Sequence, residues 1–142
     1  MTLEALDLIE SGRTDWQPQD PTKATFFHKR STEDSRIDWQ WPAEDIVNLV
    51  RAQVDPYPNA FAYYGGRRIR VLEASVSPKR YGGTAGRLFC PQGEGVVVVC
   101  GPRARTGQEY GVVLGRVRTD DGHDFLGREF FTTMGGYLTS WP

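Results

Sequence analysis

Side chains that could catalyse a reaction are few in this sequence and stand far apart. The two histidines, His28 and His123, do not lie at metal-ligand spacing from each other or from the two cysteines, Cys90 and Cys100. The sequence has no glycine-rich phosphate loop and no serine in a nucleophile elbow. These residues therefore predict no catalytic group and no metal site, and we interpret both histidines as exposed structural residues.

Carboxylates that could work as acid–base pairs occur only as direct neighbours. The three pairs are Glu33/Asp34, Glu44/Asp45 and Asp120/Asp121. Neighbouring side chains on a helix point in different directions, so such pairs are poorly placed to share a substrate. These carboxylates therefore predict no acid–base site.

Positive charge is concentrated in the middle of the chain. The net charge is −1, but residues 59–118 hold ten Lys and Arg against three Asp and Glu, whereas residues 1–58 hold six against eleven. A positive surface of this kind could meet a phosphate, a carboxylate or an acidic partner domain. The candidate binding residues are Arg67, Arg68, Arg70, Lys79, Arg80 and Arg87.

The same region also holds aromatic residues beside the cations. Tyr63, Tyr64 and Tyr81 resemble the stacking platform that a barrel offers to single-stranded nucleic acid. The net charge of −1 argues against a strong nucleic-acid binder. An ordinary packed face backed by a solvated one is the alternative interpretation.

Size and composition are those of a globular protein. The chain has 142 residues, of which 39% are hydrophobic and 25% charged, which suits one domain with a short additional segment. Its longest aliphatic run is Val96–Val99, far shorter than the roughly 20 residues that span a bilayer. No signal-peptide pattern opens the chain. We therefore expect a cytoplasmic protein with reduced cysteines and no membrane partner.

The elements that position these residues form three parts. Residues 1–23 contain an amphipathic helix over Thr2–Ser11, stopped by Gly12 and followed by a proline-containing connector. Such a helix needs a surface to pack against, and it looks like the last helix of a preceding domain. Residues 24–41 contain a β-prone piece, Ala24–Phe27, and a run of mixed charge. We interpret them as an interdomain strap, a solvated linker being the alternative.

The third part, residues 42–142, combines a helix with short strands. The helix starts at Pro42 and ends by Asp55, because Pro56 disfavours helical geometry in the residue before it. Glycine turns separate strands predicted at 60–64, 67–76, 86–90, 96–100 and 110–118, with a basic loop at 101–108 and a short helix at 125–133. This pattern predicts a mainly β fold with flanking helices, built as a small OB-like antiparallel barrel.

Residues 29–61 carry the most specific motifs of the chain. In order, these are Lys29-Arg30, Glu33-Asp34, Ile37-Asp38-Trp39, a helix that opens with Pro42-Ala43 and contains Arg51, and the turn Asp55-Pro56-Tyr57-Pro58-Asn59-Ala60. They resemble the region that follows the catalytic domain in the methionyl-tRNA formyltransferase family. The resemblance extends, less specifically, over nearly the whole chain. It implies a formyltransferase C-terminal barrel preceded by the residual helix of a catalytic domain.

Enzymes of that family transfer a formyl group from 10-formyltetrahydrofolate to an amine, using an Asn, a His and an Asp of an N-terminal Rossmann-like domain. This sequence lacks those segments. The resemblance thus implies a chain that is inactive alone, binds no cofactor, and docks the catalytic domain (in the same or a separate chain) or positions the acceptor. The implied interdomain residues are Lys29, Arg30, Asp34, Asp38, Trp39 and Tyr57, with Trp41 as a further aromatic. An equal alternative is that the aromatic residues fill the barrel core.

The acceptor stays open between a small-molecule amine and a tRNA. Asn59 stands where a glycine is common in the family, and Met134-Gly135-Gly136-Tyr137-Leu138 resembles the secondary-metabolism branch. With the net charge of −1, this favours a small amine such as the hydroxyornithine of siderophore biosynthesis. The alternatives are the tRNA-binding domain of a methionyl-tRNA formyltransferase, with the six candidate cations on phosphates, and a stand-alone homodimerisation or docking module.

Overall fold

The computed structural model describes residues 2–14, 16–102 and 111–142. Its helices are α1 (Thr2–Glu10), α2 (Ala43–Ala52) and the single turn α3 (Gly127–Phe130). Its strands are β1 (Ala60–Tyr64), β2 (Arg67–Val76), β3 (Leu88–Gln92), β4 (Gly95–Val99), β5 (Gly111–Thr119), β6 (Asp124–Leu126) and β7 (Leu138–Thr139). None of the described helices is long and apolar enough to cross a membrane.

The strands form one antiparallel sheet that curls towards its own first strand. Their order is β3-β4-β5-β2-β1-β7, with β6 paired to β5. Two backbone bonds connect the ends of this order: Leu88 N–H donates to Gly136 O at 2.9 Å, and Leu138 N–H donates to Gly86 O at 2.8 Å. Gly86 has φ +86° and lies against the Leu138 carbonyl, where a Cβ would collide. The predicted OB-like antiparallel barrel, mainly β with flanking helices, is confirmed.

The core lies inside the curled sheet and under α2. In β2, Ile69 and Val71 are buried in the core, while Arg68 and Arg70 on the other face are half-buried. This alternation follows from the two-residue period of a strand. Helix α2 packs against β2 and β5 through Ala43, Ile46 and Val50.

Three buried polar residues connect the strap, α2 and the turn after it. Ser35 Oγ donates to Gln53 Oε1 at 3.1 Å, and Asn59 Nδ2 donates to Gln53 O at 3.1 Å. Asn59 has φ +64°, a left-handed conformation that asparagine tolerates better than other non-glycine residues. A glycine-like backbone is therefore needed here, and Asn59 supplies it together with a side-chain hydrogen bond.

The second half of the predicted strap belongs to the barrel. Ile37 N–H donates to Phe61 O on β1 at 2.8 Å, and Trp39 O accepts from Gly101 N–H at 2.9 Å. Both Ile37 and Trp39 are core residues. The backbone hydrogen bonds that join the strap to the barrel are thus made by its second half.

Several element predictions were wrong in detail. Ala24–Phe27 forms no strand, because neither phenylalanine has a neighbouring strand or core to pack on. The predicted helix at 125–133 is mostly absent, since the turn at Asp120–Gly122 returns the chain to β5 as β6 and leaves one helical turn. Strand 86–90 is shifted to β3, and β7 was not predicted. Most of the basic loop at 101–108, residues 103–108, and Tyr110 lie outside the described residues.

Helix α1 ends as the sequence predicts. Gly12 has φ +67°, and Arg13 N–H donates to Leu8 O at 3.0 Å, which is the bond of a Schellman cap. The apolar residues Leu3, Leu6 and Ile9 are nevertheless exposed. The helix thus has a well-formed end and an apolar stripe that this chain leaves uncovered.

Candidate functional site

Large apolar side chains are exposed in the first 27 residues, and we call this set the N-terminal apolar surface. Its members are Leu3, Leu6, Leu8, Ile9, Trp16, Phe26 and Phe27. Phe26 is 92% exposed and Phe27 88% exposed, so neither gains anything from burial in this chain. Single exposed apolar residues are ordinary, but seven of them within 27 residues are typical of a segment that packs against a partner.

The acidic residues of the strap are hydrogen-bonded within their own segment. Asp34 Oδ2 accepts from Ser31 N–H at 2.6 Å, which lowers the pKa of the Asp34 carboxyl. Glu33 pairs with Arg36 at 3.0 Å, and Asp38 Oδ1 accepts from Gln40 N–H at 2.9 Å. These carboxylates already have local partners.

Two basic residues of the strap, unlike its acidic residues, have no partner among the residues that the structure describes. Lys29 and Arg30 are exposed and make no ion pair or hydrogen bond with the residues that the structure describes. Of the predicted interdomain charges, these two cations are the ones that stay available for a partner.

The predicted interdomain aromatics divide between core and surface. Trp39 is 3% exposed and packs in the core beside Gly86, which favours the alternative interpretation that this aromatic residue fills the barrel core. Tyr57 is 61% exposed and Trp41 41% exposed, and both stay available.

The contact of Arg36 with Trp141 could not be predicted from the sequence. The Arg36 guanidinium carbon lies 3.4 Å from the centroid of the Trp141 ring, a cation–π contact between the strap and the segment after β7. The two residues are far apart in the chain, and no local pattern indicates such a pair.

The arginines on the outer face of β2 lie in a largely compensated charge network. Arg68 Nε donates to Asp120 Oδ1 at 3.0 Å. Opposite Arg70 on β5, Arg118 donates to Asp124 Oδ1 at 2.6 Å and to Asp55 Oδ2 at 3.3 Å. These contacts raise the pKa of Arg118 and lower that of Asp124. The predicted basic surface is therefore much less positive than the sequence indicates.

The six candidate cations lie on different parts of the barrel. Arg67 and Arg68 line an open cleft of about 930 Å³ beside Tyr63 and Tyr64, and Arg68 and Arg70 line a smaller cleft of about 340 Å³ beside Tyr57. The other three lie after the far end of β2 or at the start of β3: Lys79, Arg80 and Arg87. Since ten residues of strand span about 33 Å, Arg67 and Lys79 are well separated.

The histidines lie on the surface beside single carboxylates. His28 Nε2 is 3.8 Å from Asp34 Oδ1, and His123 Nδ1 is 3.1 Å from Asp121 Oδ2. Thr119 Oγ1 also donates to Asp121, and this bond lowers the pKa of the Asp121 carboxyl. Across the part of the chain that the structure describes, no three His, Cys, Asp or Glu side chains group as metal ligands.

The Arg118–Asp124 pair predicts an acid-dependent loss of stability. Because Arg118 lowers the Asp124 pKa below its usual 3.8, this pair stabilises the fold above pH 3.8 and ceases to do so as the pH falls through the folded-state pKa. We expect Asp124→Asn to flatten the fall in the free energy of unfolding below about pH 3.8. Urea denaturation at several pH values measures it, and parallel curves for both proteins would contradict the assignment.

Comparison with known proteins assigns this architecture to a family. The family model described as formyl transferase, C-terminal domain, matches residues 29–135. The fold is similar to that of HypX from Aquifex aeolicus in complex with tetrahydrofolic acid, with a TM-score of 0.58 and 21% identity over 92% of this chain. A HypX variant matches with a TM-score of 0.57 and 22% identity over 94% of this chain. The chain spans 22% and 23% of those proteins. It belongs to the formyl transferase C-terminal domain family.

Proposed function

We propose that this chain is the non-catalytic C-terminal domain of a 10-formyltetrahydrofolate-dependent amine formyltransferase, working in the cytoplasm. It docks the catalytic domain, in the same or a separate chain, and helps to position the acceptor. The division into residues 1–23 as helix and connector of the catalytic domain, 24–41 as strap and 42–142 as barrel domain is part of this proposal. The barrel core also includes residues from the second half of the strap.

The observation that carries the proposal is the N-terminal apolar surface. It directly precedes a well-packed barrel, yet Leu3, Phe26 and Phe27 are at least 77% exposed. Exposed Lys29 and Arg30 follow these residues and would meet acidic groups of a partner. A catalytic domain that covers the apolar side chains would explain both features.

The formyl carrier is assigned to the catalytic domain in this proposal. The buried side-chain atom without a hydrogen-bond partner among the described residues is Trp39 Nε1, which lies inside the barrel core. We derive no step through a folate in this chain. The complex of HypX with tetrahydrofolic acid agrees with a folate in a whole relative of which this chain matches only a part.

A small-molecule amine is the acceptor class that we favour, as in siderophore biosynthesis. The pairing of Arg68 with Asp120 and of Arg118 with Asp124 leaves little net positive charge on the outer face of β2. An RNA-binding surface depends on uncompensated cations along the phosphate backbone. A tRNA-binding domain is the second candidate, supported by the cleft that combines Arg67 with Tyr63 and Tyr64.

Formyl transfer from 10-formyltetrahydrofolate tests the proposal directly. The acceptors are hydroxyornithine, an amino-sugar nucleotide and charged initiator tRNA, each with the chain alone, the catalytic domain alone and the mixture. We expect no turnover by the chain alone and a change of about tenfold or more in rate or acceptor preference in the mixture, because a positioned acceptor lowers the barrier.

Each result of this assay decides between the candidates. Preference for the tRNA, with binding that weakens steeply as salt rises, would replace the small-molecule acceptor with tRNA. Turnover by the chain alone would refute the non-catalytic role. An unchanged mixture together with concentration-dependent sedimentation of the chain would favour the third candidate, a homodimerisation module.

A further inference from the structure

A small cleft lies where the strap, the turn after α2 and the outer face of β2 meet. Its volume is about 340 Å³, and its polar lining consists of Thr32 from the strap, Asp55, Tyr57 and Asn59 from the turn, and Arg68 and Arg70 from β2. Phe61 of β1 forms part of its wall, with the Arg68 guanidinium 5.7 Å from the ring centroid. Three parts of the structure thus contribute to one polar space.

The charges around this cleft are paired, with one exception. Asp55 accepts from Arg118 at 3.3 Å and from Asn59 Nδ2 at 3.2 Å. Arg68 donates to Asp120 at 3.0 Å. The Arg70 side chain has no ion pair or hydrogen bond within residues 2–14, 16–102 and 111–142. The cleft therefore holds one unpaired, half-buried guanidinium.

Two further guanidinium groups lie near Arg70, and both have carboxylate partners. Arg70 is directly opposite Arg118 in the β2–β5 register, and Arg68 lies two residues away on the same face. Like charges opposite each other on neighbouring strands are destabilising. A guanidinium carries five N–H donors in a planar fork that matches the oxygens of a phosphate or carboxylate. An anion would give the donors of Arg70 an acceptor.

We propose that this cleft binds a phosphate group, with Arg70 as its main ligand and Arg68 as a second cation. The hydroxyls of Thr32 and Tyr57 line the same space and can donate further hydrogen bonds to phosphate oxygens. Since Thr32 belongs to the strap and Arg70 to the barrel, the bound group connects the two. This proposal concerns binding by the chain alone and does not depend on formyl transfer.

Calorimetric titration with inorganic phosphate, pyrophosphate and uridine diphosphate tests the site. Charge-assisted hydrogen bonds are the strong ones, so we expect Arg70→Gln to weaken binding at least tenfold. Arg67→Gln is the matched control, because Arg67 lies on the same strand outside this cleft, and it should change affinity less than about twofold. Arg70→Lys keeps the positive charge but loses the planar fork of N–H donors. Its affinity for phosphate should lie between those of Arg70→Gln and Arg67→Gln.

Further titrations exclude a folding defect as the cause of weaker binding and identify the kind of phosphate compound that binds. Tyr57→Phe leaves the sheet unchanged and should weaken binding about threefold through one lost hydrogen bond. Acetate should not compete. Absence of saturable binding of all three phosphate compounds, or an equal loss in Arg67→Gln and Arg70→Gln, refutes the site. The chain could instead bind an RNA oligonucleotide but none of the three phosphate compounds, with Arg67→Gln and Arg70→Gln weakening that binding equally. This result would refute the site and indicate an extended basic surface.

Discussion

Replacing Trp39 with alanine is expected to destabilise the barrel by about 4 kcal/mol, since Trp→Ala changes in cores cost about 3–5 kcal/mol. Trp39 is 3% exposed and belongs to the core cluster together with Ile37 and Leu138. Native domains are stable by only about 5–15 kcal/mol, so this loss is a large part of the total. Urea denaturation of the isolated chain measures it.

Two control variants separate packing from docking. Trp41→Ala removes the same side chain two positions further, where it is 41% exposed, and we expect a loss below about 1 kcal/mol. Trp39→Phe keeps most of the apolar volume and removes the unpaired Nε1 donor, so it should cost much less than Trp39→Ala. Equal losses from Trp39→Ala and Trp41→Ala would contradict the core assignment.

The fold class could be predicted because its signals are local. Glycine turns, the alternation of Ile69 and Val71 with arginines, and the Pro42 start of α2 each specify their own element. Gly12 likewise marks the end of α1. The elements around the core can thus be predicted from residues that are close together in sequence.

What the sequence could not show depends on long-range neighbours. Trp39 and Trp41 have the same side chain, and only the closure of the barrel beside Gly86 decides which of them is buried. The charge of β2 was overestimated for the same reason, since the partner of Arg68 is Asp120, 52 residues away. The residue types predicted where the cations are. The carboxylates that neutralise them are brought close only when the chain folds.

The role of Asn59 can be understood only from the folded structure. As a sequence feature it is a departure from the glycine common in the family. In the structure its φ of +64° and its bonds to Gln53 O and Asp55 Oδ1 make it a substitute for glycine that also fixes the turn. It therefore carries no information on the acceptor, and the preference for a small amine rests on other features.

Replacing both Phe26 and Phe27 with serine is expected to weaken docking to the catalytic domain about 100-fold or more. Burial of one phenylalanine side chain contributes about 1.5–3 kcal/mol, and about 1.4 kcal/mol corresponds to a tenfold change in affinity. Both side chains are almost fully exposed in this chain, so their removal should leave the barrel's free energy of unfolding within about 0.5 kcal/mol of the original. Calorimetric titration with a catalytic domain from the same source gives the affinity.

Val54→Ser is the matched control for this docking test, because Val54 is also an exposed apolar residue, at 47%, but follows α2 on the barrel. It should leave the affinity unchanged if docking uses the N-terminal apolar surface. An equal effect of both changes would indicate non-specific apolar contact, and no effect of either would remove Phe26 and Phe27 from the interface. In that last case the exposed phenylalanines would need another partner, and self-association measured by sedimentation would be the alternative that explains them.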